Sequence, residues 1–187
     1  MTTTPVLETA RLRLRPHQIE DFAACVAMWA DPVITRFTLG SPSTEQRTWM
    51  RLLAYSGLWT QLGYGYWAVE EKASGRYVGE LGFADFKRDS VPGVGGVPEL
   101  GWALMKQVHG KGYATEGLLA ATAWGDAQFG AARTFCIIQS ANTASIRVAE
   151  KVGYREIHRK DAEGETEIHF ARDPWGVAFS RLCPGSF

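Results

Sequence analysis

Apolar residues recur along the chain with two different periods, and these periods predict strands and helices in a mixed order. Residues 11–15 alternate Arg with Leu, the two-residue period of a half-buried strand. Residues 20–30 and 44–62 carry apolar side chains at helical spacing, which predicts two helices. Strands are expected next at 64–71 and 77–87, as a hairpin.

In the second half of the chain, strands and helices are predicted to alternate. Residues 99–105 form a third apolar strand, residues 113–129 a helix and residues 133–139 a strand covered on both faces. A helix is expected to begin at Asn142 or Thr143 and to end at Gly153, before a last hairpin. The pattern indicates the α/β class, with a mixed central sheet and helices on both faces.

The helix at 113–129 is expected to lie very close to that sheet, because small residues dominate one side of it. This side carries Ala114, Leu118, Ala121, Gly125 and Phe129. The last hairpin is predicted to pair residues 154–159 with residues 165–172, and the rest of the chain is expected to be a tail with a helical turn after Pro174.

Composition favours one globular domain spanning residues 1–187. Lys plus Arg equals Asp plus Glu at 20 each, so we expect neither a nucleic-acid partner nor a membrane surface. The three cysteines lie far apart without a Cys-x-x-Cys pair, and the four histidines show no metal spacing. We therefore expect no metal, no disulfide framework and a reducing, cytoplasmic location. The polar start of the chain does not resemble a signal peptide.

Residues 107–114 read Gln-Val-His-Gly-Lys-Gly-Tyr-Ala between a predicted strand and a predicted helix. Gly110 and Gly112 expose the backbone N–H groups of a short turn, and the positive end of the next helix faces the same way. This arrangement favours a diphosphate ligand. A P-loop is excluded because Tyr113 follows the second glycine. A dinucleotide fingerprint fails at Thr115, although a nucleotide-binding oxidoreductase stays open as an alternative.

Three segments together resemble the GNAT N-acetyltransferase superfamily. Gln107-x-x-Gly110-x-Gly112-x-Ala114 is similar to its acyl-CoA loop, and Glu99 to Met105 to the strand before that loop. The segment that begins Asn142-Thr-Ala-Ser145 and ends Gly153-Tyr154 is similar to a later helix of the family. The opening residues 7–16 resemble the branch that includes ribosomal-protein N-terminal acetyltransferases. The resemblance spans about Val6 to Trp175.

The resemblance implies a GNAT fold, with the central sheet splayed in a V, and acetyl-CoA as co-substrate. Backbone amides of the turn would hold the pyrophosphate: those of Val108, His109, Gly110, Lys111, Gly112, Tyr113 and Ala114. Gln107 would brace the turn, and Lys111 would add charge. The strand backbone at Trp102, Ala103, Leu104 and Met105 would pair with pantetheine, as a peptide adds to a sheet edge. Asn142 would bond a pantetheine amide, cap its helix, or do both.

Acetylation of an amine requires a base, because an amine with a pKa of about 10.4 is charged at neutral pH. Glu99, at the start of the strand beside the cofactor, is the first candidate. Glu80 and Glu167 are weaker ones. The resemblance places Ser145 near the sulfur of the leaving thiolate, and Ala149 stands where many relatives carry a tyrosine acid.

We expect direct acetyl transfer to a primary amine, either a protein N-terminus or a small molecule. A CoA-binding sensor of the same fold without transferase activity is the alternative. Trp29, Trp49 and Trp67 fall in segments that shape the acceptor end in the family, which suggests an apolar or amphipathic pocket. Monomer and homodimer both stay open.

Overall fold

The computed structural model describes residues 4–87, 96–162 and 164–174. Its strands are β1 (Leu7–Glu8), β2 (Leu12–Arg15), β3 (Tyr66–Glu71), β4 (Arg76–Ala84), β5 (Glu99–Leu104), β6 (Thr134–Gln139), β7 (Arg155–Ala162) and β8 (Glu165–Arg172). Its helices are α1 (Phe22–Trp29), α2 (Pro32–Thr35), α3 (Glu45–Leu62), α4 (Tyr113–Phe129) and α5 (Thr143–Lys151). These eight described strands form a mixed sheet, which confirms the predicted α/β class.

The sequence pattern did not predict the short elements β1 and α2. Elements of two and four residues are too short to show a period. The predicted helical turn after Pro174 lies outside the described residues, as does most of the loop predicted at 89–98.

Backbone contacts divide the chain into two compact units. The first is Met1–Ala84 with Gly101–Ala121, and the second is Asp85–Leu100 with Thr122–Phe187. The first dividing point falls at the end of β4, and the other two fall inside β5 and α4. The interpretation of the whole chain as one domain stays a prediction.

In the first unit, β1, β2, β3 and β4 follow one another with antiparallel pairing, and the end of β5 lies beside β4. The predicted alternation in β2 is confirmed, since Leu12 and Leu14 are fully buried and Arg13 is exposed. Helices α1 and α3 bury apolar residues against this part of the sheet. Their core cluster contains Cys25, Met28, Trp29, Ile34, Leu52, Ala68, Tyr77 and Ala103.

The helix boundaries of the first unit follow local chemistry. The Thr44 hydroxyl accepts a hydrogen bond from the Arg47 N–H at 3.2 Å and caps α3. Gly63 ends that helix in the left-handed conformation, with φ of +74°. In α4, a methyl group on Gly117 would lie 2.6 Å from Leu81 Cδ2. The predicted close approach of this helix to the sheet is thus observed, and Gly117 is the residue that permits it.

In the second unit, β5 pairs in parallel with β6 through Glu99 and Phe135. Strand β8 runs antiparallel to β6 and to β7, so it lies between them. The Arg172 guanidinium on β8 makes two hydrogen bonds to the Asp126 carboxylate on α4, at 2.6 and 2.7 Å. This ion pair therefore links the C-terminal part of α4 to β8 within the unit.

The described cysteines, Cys25 and Cys136, are free and buried. Cys183 lies outside the described residues. Among the helices of the described ranges, none combines the length and the apolar character that crossing a bilayer requires.

Candidate functional site

The glycine turn presents several backbone N–H groups without an acceptor. Gly110 and Gly112 adopt φ of +77° and +80°, the left-handed region that glycine tolerates. Among the described residues, the amides of Gly110, Gly112, Tyr113 and Ala114 donate to no acceptor. Unpaired amides at a glycine turn and a helix start are the geometry that binds phosphate oxygens.

Three amides of the predicted cradle are already used inside the turn, which corrects that part of the prediction. The Val108 amide donates to Met105 O, the His109 amide to Lys106 O and the Lys111 amide to Val108 O, at 3.0 to 3.3 Å. These bonds close the 3-10 turn Lys106–Val108 and the turn after it. The amides that stay available to an anion are those of Gly110, Gly112, Tyr113 and Ala114.

Arg11, from the start of the chain, braces the turn. Its Nη1 donates to Lys111 O at 2.8 Å, and its Nε donates to Glu116 Oε2 at 2.7 Å. Glu116, in the first turn of α4, also accepts the Arg11 amide and the Thr9 hydroxyl. Sequence reasoning assigned Arg11 to a strand pattern only, because nothing local links residues separated by 100 positions.

The turn's own side chains are partly engaged. The His109 ring nitrogen Nε2 lies 2.8 Å from Leu104 O, so the ring contacts the backbone at the end of β5. The side-chain amide of Gln107 donates a hydrogen bond through Nε2 to the Met105 sulfur at 3.0 Å, which supports the predicted bracing role. Lys111 Nζ lies 3.9 Å from the Glu71 carboxylate and is half exposed. A hydrogen bond from the Tyr113 hydroxyl to Glu71 holds the pKa of that carboxyl below its ordinary value.

The backbone of β5 points alternately to two edges. The Met105 amide donates to Val78 O on β4. A methyl group on Gly79 would lie 2.7 Å from Leu104 Cα and closer still to Ala103 O, so that carbonyl also faces β4. Because successive residues of a strand turn their backbone groups to opposite edges, those of Trp102 and Leu104 face away from β4. The prediction of backbone contacts with pantetheine is therefore corrected for Ala103 and Met105, because their backbone groups face β4. These two residues are left with contacts through their side chains or with packing.

In the second unit, Asn142 is the N-cap of α5, as predicted. Its Oδ1 accepts a hydrogen bond from the Ser145 amide at 3.2 Å. The Ser145 hydroxyl is partly exposed and makes no hydrogen bond to the residues that the structure describes. Glu99 is buried at the first position of β5, and its charge contributes to raising the pKa of Cys136, after burial as the main cause.

A second polar cluster, buried in the first unit, surrounds Glu80 on β4. Glu80 accepts hydrogen bonds from the Tyr55 hydroxyl and, at 3.0 Å, from the Tyr77 hydroxyl. Burial raises the pKa of Glu80 above its ordinary value. His17 stacks on Tyr55 with ring centroids 4.7 Å apart. Sequence reasoning ranked Glu80 low, although a charged residue inside an apolar strand was the signal that pointed to it.

We compared the chain with known proteins. A family model described as an acetyltransferase (GNAT) domain matches residues 11–155. The Bacillus subtilis protein YkkB is 31% identical over 162 residues, which are 82% of this chain and 87% of that protein. A Bordetella pertussis structure assigned to the GnaT acetyltransferase family is 31% identical with a TM-score of 0.80, covering 90% of this chain and 99% of that one.

The solved structure of RimL, a ribosomal L7/L12 α-N-protein acetyltransferase in complex with coenzyme A, has the same fold. Its TM-score is 0.71 at 16% identity, over 91% of this chain and 98% of that one. At this identity the likeness concerns the fold. The structural comparison therefore confirms the predicted GNAT architecture.

Proposed function

The chain belongs to the GNAT acetyltransferase family and is an acetyl-CoA-dependent N-acyltransferase, and from this premise we propose that it binds acetyl-CoA at the glycine turn and acetylates a primary amine. The observation that carries the proposal is the set of unpaired amides at Gly110, Gly112, Tyr113 and Ala114. Acetyl-CoA supplies the activated acetyl group. The chain's own residues bind the pyrophosphate, orient pantetheine, accept the proton of the acceptor ammonium and stabilise the departing thiolate.

The residue roles we propose combine the family resemblance with the geometry. Turn amides bind the pyrophosphate, and backbone groups of Trp102 and Leu104 bind pantetheine. Glu99 accepts a proton from the acceptor ammonium. Ser145, whose hydroxyl has no partner among the described residues, donates a hydrogen bond to the departing thiolate.

The proposal is tested by titrating purified protein with acetyl-CoA in a calorimeter and by assaying free-thiol release with a panel of primary amines. We expect binding with a stoichiometry of one and thiol release with at least one amine. Binding without release across a broad panel would favour the CoA-binding sensor. No binding of acetyl-CoA, with binding of NAD instead, would overturn the proposal.

Gly110→Ala is expected to weaken acetyl-CoA binding by about tenfold or more. The substitution places a methyl group in the turn and strains a backbone at φ of +77°, which costs about 1–2 kcal/mol. The dissociation constant is measured by calorimetry. Gly75→Ala is the matched control, since Gly75 also has positive φ (+67°) and open space around it but lies in the β3–β4 turn. Equal loss of affinity in both variants would contradict the turn's role.

Ser145→Ala is expected to lower kcat by about tenfold or more while the acetyl-CoA dissociation constant stays unchanged, because a hydrogen bond to a charged group is worth about 1.5–3 kcal/mol. Steady-state thiol release measures kcat. Thr143→Ala, which removes another hydroxyl from the first turn of α5, serves as the control and should leave kcat unaffected. An unchanged kcat in Ser145→Ala would remove Ser145 from the proposed chemistry.

A further inference from the structure

The cluster around Glu80 gathers buried nitrogens that lack partners. Among the described residues, five buried side-chain nitrogens make no hydrogen bond, and four of them are His17 Nδ1 and Nε2, Trp29 Nε1 and Arg51 Nε. The Arg51 guanidinium lies over the Trp29 ring, 4.1 Å from its centroid. The Arg51 charge and the Trp29 N–H both act to lower the pKa of the Glu80 carboxyl, whereas burial, the largest cause, raises it.

Unpaired buried donors are expensive, so native structures give them partners from the protein, water or a ligand. Burial lowers the pKa of His17 to about 4, so the ring is neutral at assay pH and has one N–H and one lone pair. Together with the N–H groups of Trp29 and Arg51, the cluster thus offers three donors. Three convergent donors, one of them cationic, match an anionic oxygen group.

Glu80 supplies the opposite charge in the same cluster. A carboxylate has about four acceptor positions, and the Tyr55 and Tyr77 hydroxyls use two of them. Arg51 Nε makes no hydrogen bond to the residues that the structure describes, although the guanidinium lies close enough to Glu80 and Tyr55 to interact with both electrostatically. The first unit therefore holds a carboxyl group and a guanidinium near one another, with acceptor positions left over on the first and an N–H donor left over on the second.

We propose that this cluster binds the acetyl acceptor as a zwitterionic amino compound of the α-amino acid type, with its ammonium on Glu80 and its carboxylate on the N–H groups of Arg51 and Trp29. The proposal rests on the acetyl transfer proposed above and narrows its acceptor to small molecules. Aromatic rings wall the cluster: His17 stacks on Tyr55, and Tyr55 stacks on Tyr66 at 4.9 Å. They supply the apolar surface that a side chain of the acceptor would contact.

The position of the cluster suits a transfer reaction. Ala103 of β5 packs in the same core cluster as Cys25, Trp29 and Tyr77. Glu80 directly follows Gly79, which lies against Ala103 and Leu104. An ammonium on Glu80 would therefore lie beside the strand that we propose for pantetheine, within the first unit.

A metal ion is a less suitable occupant. His17, Cys25 and Glu80 place possible ligand atoms within 4.8 Å of one another. However, burial raises the pKa of Cys25 to about 12, so the thiol stays protonated, whereas a metal binds the thiolate. A thiol that stays protonated favours an organic ligand over a metal ion.

The test compares amino acids with the amines that lack only their carboxylate, such as phenylalanine with phenethylamine and leucine with isoamylamine. We expect wild-type kcat/KM to be at least about 30-fold higher for the better amino acid than for its decarboxylated partner. Arg51→Met should abolish this preference by lowering kcat/KM for the amino acid alone. Arg47→Met, on the exposed face of the same helix, should keep it.

The outcomes separate this inference from the proposed function. Acetyl transfer to amines with no preference for a carboxylate, or a preference that Arg51→Met leaves intact, overturns the inference while leaving the transferase. An unreactive amino acid panel beside an acetylated peptide N-terminus also overturns it. Absence of acetyl-CoA binding contradicts the proposed function instead. A divalent metal found at one per chain by elemental analysis would overturn the organic ligand. If Arg51→Met does not fold, the wild-type ratio alone decides.

Discussion

Replacement of Glu99 by Gln is expected to lower kcat/KM for acetyl transfer by about 100-fold or more at neutral pH. Glu99 is 6% exposed at the first position of β5, and its carboxylate is the base that we propose for the acceptor ammonium. Gln keeps the shape and loses the ability to take a proton. Thiol release across a pH series measures the effect.

The pH profile distinguishes a base from a structural residue. An amine with a pKa of about 10.4 loses its proton to solvent, without a catalytic base, as the pH rises toward that value. The deficit of Glu99→Gln should therefore shrink as the pH approaches that value. A deficit that is constant with pH and accompanied by a lower melting temperature would show that Glu99 only holds the β5–β6 junction. Glu167→Gln, on β8 of the same unit, is the matched control and should retain full activity.

The pH profile of Glu80→Gln, measured in the same way, decides between Glu80 and Glu99 as the base. Glu80 is the more deeply buried of the two carboxyls, at 1% exposed against 6% for Glu99. If Glu80→Gln shows the pH-recovering deficit and Glu99→Gln does not, the base is Glu80. In that case the residue that binds the ammonium also takes its proton, and Glu99 has a structural role.

The spacing of apolar residues, together with the residues that begin and end helices and turns, predicted most of the fold. The helix α4 has the bounds that the sequence indicated, and α3 runs from Glu45 to Leu62, within the range predicted for it. These elements are long, so their periods are visible, and their ends carry residues with definite capping chemistry. Elements too short to repeat a period, such as β1 and α2, left no such signal.

The candidate site was predictable only where its chemistry is local. The glycine turn and the Asn142 cap are local motifs, and both have the predicted geometry. The Arg11 brace and the cluster around Glu80 join residues far apart in the chain. Which backbone groups of β5 face which edge depends on pairing with β4. A single sequence carries none of this information.

Asp21→Asn is expected to destabilise the protein by about 2–3 kcal/mol at pH 7, because it leaves the Arg15 guanidinium partly uncompensated in a buried position. Arg15 makes two hydrogen bonds to the Asp21 carboxylate at 2.7 and 2.8 Å, and Glu70 keeps a third at 2.7 Å, which limits the loss. The pair joins the end of β2 to the turn before α1, on either side of His17. Chemical denaturation measures the change in unfolding free energy.

The exposed pair Arg13–Glu8 is the matched control, since its closest N–O distance is also 2.7 Å but both side chains are nearly half exposed. Glu8→Gln should leave stability unchanged within error, because water and salt screen such pairs. Similar losses in Asp21→Asn and Glu8→Gln would contradict the importance of burial. Loss of activity in Asp21→Asn at temperatures where it stays folded would instead indicate that the pair positions His17.

The effect of Asp21 depends on pH in a defined direction. Burial acts to raise the pKa of Asp21, but hydrogen bonds from Arg15 and from the Gln18 amide outweigh it and hold that pKa below its ordinary value. A carboxyl with a lowered native pKa stabilises the fold fully above its unfolded pKa and loses this contribution as the pH falls through the native one. The difference in unfolding free energy between the wild type and Asp21→Asn should thus be constant above about pH 5 and narrow below about pH 4. A difference that widens toward acid would mean that the native fold favours the protonated form of Asp21.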